Sequence, residues 1–393
     1  MGSIDVDSAV LPTTHPLKIF DVCRKQNKFV YACAPMVRYS KLAFRQTVRH
    51  YGVDLCWTPM ILAKEFNRSG FARDSDLTVG TNGPQPVTIL QFGANDPTEL
   101  ARASSLAIPY VNGVDLNCGC PQSWACAETL GAALMNQREL VRDMVVETRS
   151  RLAGEGWAVG MDKDVENPKG RSVSVKIRVH DDLRKTMDFI DTVIGDPHHR
   201  NIDWLTIHPR TRHTPSTTPI RTEALEILTE KYAKTLPILL SGDIFDINAL
   251  PIRATTHSSE DAALATLRIK DDPPVPTSTV LPAPSNTHLS GFMSARGLLA
   301  NPALFAGHAA CPWEAVERFM CHAARAPLPL KLAVHHVQEM CGPGFGDDKS
   351  QLLSRKERQA FALMTDVTEL MDFLDHKIAE HKGQTTGLRR DLF

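Results

Sequence analysis

A small set of side chains stands out from an otherwise ordinary core pattern: Gln91, Asn117, Cys120, Lys176, Arg178, His208, Asp243 and Arg296. Each lies in or just after a short apolar run. The runs end in Gln91-Phe92-Gly93, Asp115-Leu116-Asn117-Cys118-Gly119-Cys120-Pro121, Lys176-Ile177-Arg178, His208-Pro209-Arg210-Thr211, Ser241-Gly242-Asp243 and Ala295-Arg296-Gly297. A buried Lys176 can neutralise negative charge on a ring. Gln91 offers both a donor and an acceptor to a pyrimidine-like edge. Gly242 and Arg296-Gly297 suit a phosphate. A reduced flavin, anionic near N1 and O2 and phosphorylated at its tail, needs this combination.

Taken singly, each residue has an ordinary structural explanation: a rim lysine, a core histidine, an apolar cysteine or a turn glycine. Gln, Cys, Lys, His and Arg together at the ends of different strands do not. Strand alternation puts Ser174, Lys176 and Arg178 on one face, and Asp115 with Asn117 on another single face. Charged groups two apart on apolar strands avoid the helical layer and point into a barrel mouth.

The elements that must position them follow from pattern. Strand-like runs cover 28–34, 54–58, 86–92, 112–117, 173–179, 203–208, 237–241 and 290–295. Helix-like stretches between them cover 41–50, 97–107, 137–152, 183–194 and 221–233, with Asp96 and Pro97 forming a capped helix start. This alternation predicts an α/β fold, a (β/α)8 TIM barrel whose site lies at the C-terminal strand ends. A doubly wound open sheet is the competing reading. Helices alone follow: 313–324, 330–341 and one helix over 354–380. The expected organisation is a flexible lead-in over 1–16, a barrel over 17–310 with insertions at 154–172 and 254–289, and a C-terminal helical domain over 311–393.

Composition narrows the function classes. Of 393 residues 42% are hydrophobic and 23% charged, and the net charge is −1, which excludes binding of nucleic acid by bulk positive charge but not by a local cluster. The nine cysteines are scattered without a CxxC pair, so neither a disulfide framework nor a metal site is expected. No secretory leader or membrane-spanning run is expected either, which predicts a soluble, intracellular protein, cytoplasmic or nuclear. No GxGxxG follows a strand, and Gly342-Pro343-Gly344-Phe345-Gly346 falls among helices, where it has little weight as a dinucleotide motif.

With those residues in view, the chain resembles the tRNA-dihydrouridine synthases, FMN enzymes that reduce uridine in tRNA. The resemblance is carried by Ala34-Pro35-Met36 with Phe44-Arg45, Gln91 to Pro97, Asp115 to Pro121, Gly131 to Met135, Lys176-Ile177-Arg178, His208 to Thr211, Ser241 to Ile244 and Ala295 to Phe305. Residues 34–45 and 295–305, with Cys118 to Gln122 and Trp124-Ala125, resemble the branch acting on D-loop positions 20a and 20b.

The resemblance implies bound FMN, with NADPH or NADH as electron donor and tRNA as partner. Pro35, Met36 and Val37 would border the flavin. Gln91, Lys176 and His208 would contact it, and Ser241, Gly242, Asp243, Ala295 and Arg296 would hold its ribityl and phosphate. Cys120 would give a proton to C5 of the uracil while hydride passes to C6. Asn117 and Arg178 would orient the base or its phosphate. The charge cluster Arg355, Lys356 and Arg358 in the helical tail, with Arg389 and Arg390 beyond it, is read from its own residues as a patch for tRNA phosphates. Ser241 stands where the family usually has Asn, Pro209 where it has Gly, and Ser123 where it often has Arg. Two alternatives are an FMN barrel reducing a free small molecule and a non-catalytic tRNA-binding barrel. The basic cluster favours tRNA over the first; intact Gln91, Cys120 and Lys176 oppose the second.

Overall fold

The computed structural model describes residues 14–80, 86–160, 167–251, 289–383 and 387–388. Its strands are β1 (Val30–Cys33), β2 (Leu55–Trp57), β3 (Ile61–Leu62), β4 (Val87–Gly93), β5 (Gly113–Cys118), β6 (Ser172–Arg178), β7 (Leu205–His208), β8 (Ile238–Ser241) and β9 (Gly291–Ser294). Eight of them pair in parallel in the order β1-β2-β4-β5-β6-β7-β8-β9, and β9 pairs back onto β1. The sheet therefore has no edge, and the open-sheet alternative falls. The two-residue β3, which sequence reasoning did not predict, pairs only with the last residues of β4.

Alternation divides every strand between two environments. The outward residues, among them Leu90, Phe92, Val114, Leu116, Cys118, Val173, Val175 and Ile177, join the large core under the helices. The inward residues change character along the barrel. At the N-terminal end Val30, Ala32, Leu55, Trp57, Ile89, Leu239 and Met293 form a separate apolar cluster with Leu17, Phe20 and Trp204. Toward the C-terminal end the inward set turns polar: Gln91 is opposite Asp115, Asp115 opposite Ser174, Asn117 opposite Lys176, and Arg178 opposite His208.

The barrel floor is closed by a helix over Pro16–Lys25, whose Phe20 ring lies 5.5 Å from Trp204. Its start falls in the stretch expected to be loose. His15 is fully buried, and its Nδ1 accepts the Leu17 amide at 3.1 Å, so residues 14–16 belong to the fold. The start of the 154–172 insertion is tied down by a bridge between Ala158 and Gly170. Its last residues are core: Arg171 is buried 4.6 Å over the Trp157 ring, and Ser172 opens β6. Residues 161–166 and 254–288 of the two insertions lie outside the described residues.

The helix predicted from Asp96 and Pro97 spans Pro97–Ala107, with Asp96 accepting the Glu99 amide at 2.8 Å. The helix predicted over 354–380 is broken. A short helix Arg355–Gln359 runs into a 3₁₀ turn, Met364 is extended, and Asp366 caps a new helix, Val367–Lys382, by accepting the Glu369 amide. The Ser354 and Asp366 caps make two separate helices, whereas periodicity alone reads as one. The C-terminal helices share the barrel's outer core through Phe319, Val337, Leu370 and Leu374. None of the described helices is long and apolar enough to cross a membrane.

The closing seam sets a sharp packing limit. A Cβ on Gly291 would fall 2.1 Å from the Val30 carbonyl oxygen and 2.8 Å from Val30 Cβ. Gly291→Ala is expected to destabilise the protein by about 2–4 kcal/mol, whereas Gly154→Ala, at a helix end with open space around it, stays within about 1 kcal/mol. Urea denaturation of both variants checks this; equal midpoints would refute the seam as a constraint.

Candidate active site

One buried carboxylate organises the polar mouth. Asp115 accepts from Ser174 Oγ at 2.6 Å on one oxygen and from Gln91 Nε2 at 2.8 Å on the other. Gln91 Oε1 in turn accepts from Asn117 Nδ2 at 2.8 Å. Asn117 Oδ1 then accepts the backbone amides of Gly119 and Cys120, both at 2.9 Å. Burial pushes the Asp115 carboxyl up to about 6, opposed by the Ser174 and Gln91 hydrogen bonds.

The chain of bonds ends at a clamped turn. Arg178 Nε donates to the Gly119 carbonyl at 2.8 Å, and the Ala132 amide donates to the Cys120 carbonyl at 2.8 Å. Gly131 passes so close beneath that a Cβ there would lie 2.5 Å from the Cys120 carbonyl oxygen, and its φ is +58°. The backbone of Cys120 is thus held from several sides while its side chain stays partly exposed. Cys118 is fully buried on the outward face, where burial holds its thiol well above the ordinary value. Cys126 lies near the turn, its Sγ 3.8 Å from the Cys120 carbonyl oxygen.

Beside the turn opens a cleft lined by Pro35, Lys176, His208, Ser241, Gly242, Asp243, Ala295 and Arg296. It is crowded with cations. Lys176 has no hydrogen-bond or ion-pair partner among the described residues, and burial together with Arg178 lowers its pKa to about 8. Burial first, then Lys176, Arg178, Arg210 and Arg296, depress His208 to about 2, so its ring is neutral at physiological pH. Gly242, at φ +114°, leaves room for that ring, since a Cβ would lie 2.8 Å from His208 Cδ2. Gly297 likewise tolerates no Cβ, which would meet the Ile244 carbonyl oxygen at 2.3 Å. Such a concave set of positive groups, one of them without a partner, fits an anionic, phosphorylated ligand.

The family follows from this arrangement and from likeness to known chains. A model of the dihydrouridine synthase (Dus) family matches residues 32–275, from β1 past β8. The chain belongs to the dihydrouridine synthase family. It is 36% identical over 365 residues to a human protein named tRNA-dihydrouridine(20a/20b) synthase-like, covering 92% of this chain and 94% of that one. It is 34% identical over 361 residues to the tRNA-dihydrouridine(20a/20b) synthase of Schizosaccharomyces pombe, with 92% and 91% covered. With the Saccharomyces cerevisiae protein of the same name it is 35% identical over 327 residues, with 82% and 75% covered. All three names carry NAD(P)+.

Several residues expected to bind in this dihydrouridine synthase stand elsewhere or have other partners. Gln91 is 1% exposed, with its amide bonded on both sides to neighbours, and Met36 and Val37 lie on the loop beyond the cleft, Val37 being exposed. Arg178 is bonded to the Gly119 and Thr211 carbonyls, so it clamps the turn. Both Asp243 oxygens accept from Arg210, at 2.6 and 2.8 Å, and Oδ2 also takes the Ile220 amide. These bonds hold Asp243 in a left-handed backbone conformation, φ 56°. Arg358 donates to the Leu353 carbonyl at 2.5 Å and to Gln351 Oε1 at 2.9 Å, a loop brace, whereas Arg355 and Lys356 are exposed. Arg389 and Arg390 lie outside the described residues.

Sequence reasoning gave Arg210 no role. It is 2% exposed and also approaches His208 Nε2 at 3.1 Å, so it fixes both the histidine ring and Asp243. The available signal was an arginine two residues beyond a strand-end histidine.

The unpartnered Lys176 yields a test that needs no turnover. Its folded pKa is lowered from 10.5 to about 8, so the penalty for carrying the ammonium is complete below pH 8 and fades as pH rises toward 10.5. Flavin-free Lys176→Met is therefore expected to melt at least about 2 °C above flavin-free wild type at pH 7, with the gap narrowing at pH 9.5. A variant less stable at pH 7 would contradict this reading.

Proposed function

We propose that this chain reduces a D-loop uridine of tRNA, at positions 20a/20b, to 5,6-dihydrouridine, with FMN held in the cleft and NADPH or NADH as electron donor. The observation carrying this reading is that a cation-lined cleft and a clamped thiol turn meet at one barrel mouth. The names of relatives matched over nearly their whole length support the same reaction and the same tRNA positions. Such a substrate is found in the cytoplasm and nucleus.

When bound, FMN supplies the hydride, taken from NAD(P)H and delivered to C6 of the uracil. The side chains do the rest. Lys176 would neutralise the anionic edge of the ring and Pro35 would border it, whereas Met36 and Val37 stand on the loop beyond the cleft and Gln91 acts through its bonds to Asp115 and Asn117. Neutral His208, whose Nε2 accepts from Arg210, would offer its Nδ1–H as a donor. Ser241, Gly242, Ala295 and Arg296 hold the ribityl and phosphate, while Asp243 acts through Arg210.

Cys120 gives its proton to C5, where carbanion character develops as C6 is reduced; the S–H bond breaks as C5–H forms. The thiolate left behind is attracted to Lys176 and Arg178. Asn117 does not need to touch the base to matter, because its Oδ1 aims the turn that carries the sulfur.

The experiment is mass analysis of an unmodified tRNA transcript incubated with the purified protein and NADPH. A 2 Da gain on a nucleoside at 20a/20b is expected; no gain with flavin-loaded protein overturns the proposal. The exposed Arg355 and Lys356, which a small-molecule reductase does not need, meet backbone phosphates. Arg355→Glu with Lys356→Glu should weaken tRNA binding and flatten its salt dependence by about one unit of slope per lost contact, leaving NADPH oxidation without tRNA unchanged. Unchanged tRNA affinity would reduce the pair to a solvated helix face.

A further inference from the structure

The Gly342–Gly346 run, idle as a dinucleotide motif, lies against the cleft. Phe345 stacks on Phe245 with ring centroids 5.2 Å apart and planes 23° apart. The Arg296 guanidinium lies over both rings, 5.3 Å from Phe245 and 5.4 Å from Phe345. The loop is seated closely: a Cβ on Gly346 would lie 3.2 Å from the Phe245 carbonyl oxygen. Arg296 itself is half-buried in the cleft lining, and its only hydrogen bond among the described residues is a long one, 3.3 Å to the Ser216 carbonyl. The aromatic pair is thus its main support.

We propose that Phe345, from the loop between the C-terminal helices, is a positioning residue for Arg296, so that the helical region completes the phosphate-binding end of a cleft otherwise built by the barrel. A guanidinium resting on ring faces loses little of its hydrogen-bonding capacity, because its N–H groups lie in its own plane. The rings restrict its rotamers and leave those donors directed at an anion, which lowers the ordering cost of binding. Phe245 belongs to the barrel and Phe345 does not, so the anion grip depends on the helical region being docked. The inference rests on the FMN reading above, and its test separates the two.

FMN and riboflavin, which differ only by the phosphate, are titrated into flavin-free full-length protein and followed by flavin fluorescence. Phe345→Ala is expected to weaken FMN binding about three- to tenfold while leaving riboflavin binding unchanged, the range of one cation–π contact. Phe345→Tyr should bind as wild type and Phe345→Leu as Phe345→Ala. In an Arg296→Ala background, Phe345→Ala should have no further effect on FMN. Equal loss of FMN and riboflavin, wild-type FMN affinity in Phe345→Ala or Phe345→Leu, or additive losses with Arg296→Ala would overturn the inference. Wild-type protein that binds neither flavin would instead overturn the FMN reading itself.

Discussion

The mouth of this barrel depends on one carboxylate with acceptors only. Asp115, buried and held by Ser174, obliges Gln91 to turn its NH₂ inward. That leaves the Gln91 oxygen facing Asn117, which must present its own NH₂ there and its oxygen to the Gly119 and Cys120 amides. An amide can point either way, and each reversal would set donor against donor. A single negative charge therefore fixes the sense of bonds across three strands and, at their end, the backbone that carries a thiol. Burial makes the carboxylate costly and the bonds make it tolerable, a balance visible in a pKa held near 6.

Around that chain the barrel separates two tasks. Apolar inward residues fill the N-terminal half, while the C-terminal half collects cations around the cleft. Burial first, and repulsion between the positive groups second, disfavour charge on Lys176 and His208. An anionic ligand relieves that repulsion, so the cleft trades stability of the empty protein for affinity. The clamped turn sits next to it, with Lys176 in the cleft wall and Arg178 bonded to the turn.

Much of this was legible in the sequence because alternation is a strong constraint. On strands buried on both faces, Ser174, Lys176 and Arg178 had only the barrel interior to enter, and Cys118 had to point away from Asn117. Caps were legible too, as at Asp96 and Pro97. What the sequence could not show was which polar group answers which. Asp243 and Arg210 are thirty-odd positions apart and pair only because β7 and β8 are neighbours. Arg358 reads like Arg355 in the sequence, yet a loop carbonyl captures it. Met364 interrupts a face whose period continues across the break, and His15 is a cap only because a floor helix folds over the barrel's end.

The central claim is that Cys120, aimed by this chain, supplies a proton that the flavin half-reaction does not need. Stopped-flow measurement of the two half-reactions in Cys120→Ala tests it most directly. The account predicts FMN reduction by NADPH at nearly the wild-type rate and dihydrouridine formation slower by ~10²–10⁴-fold, with Cys118→Ala and Cys126→Ala within a few-fold of wild type. Normal dihydrouridine formation by Cys120→Ala, or its loss in Cys118→Ala instead, would contradict it.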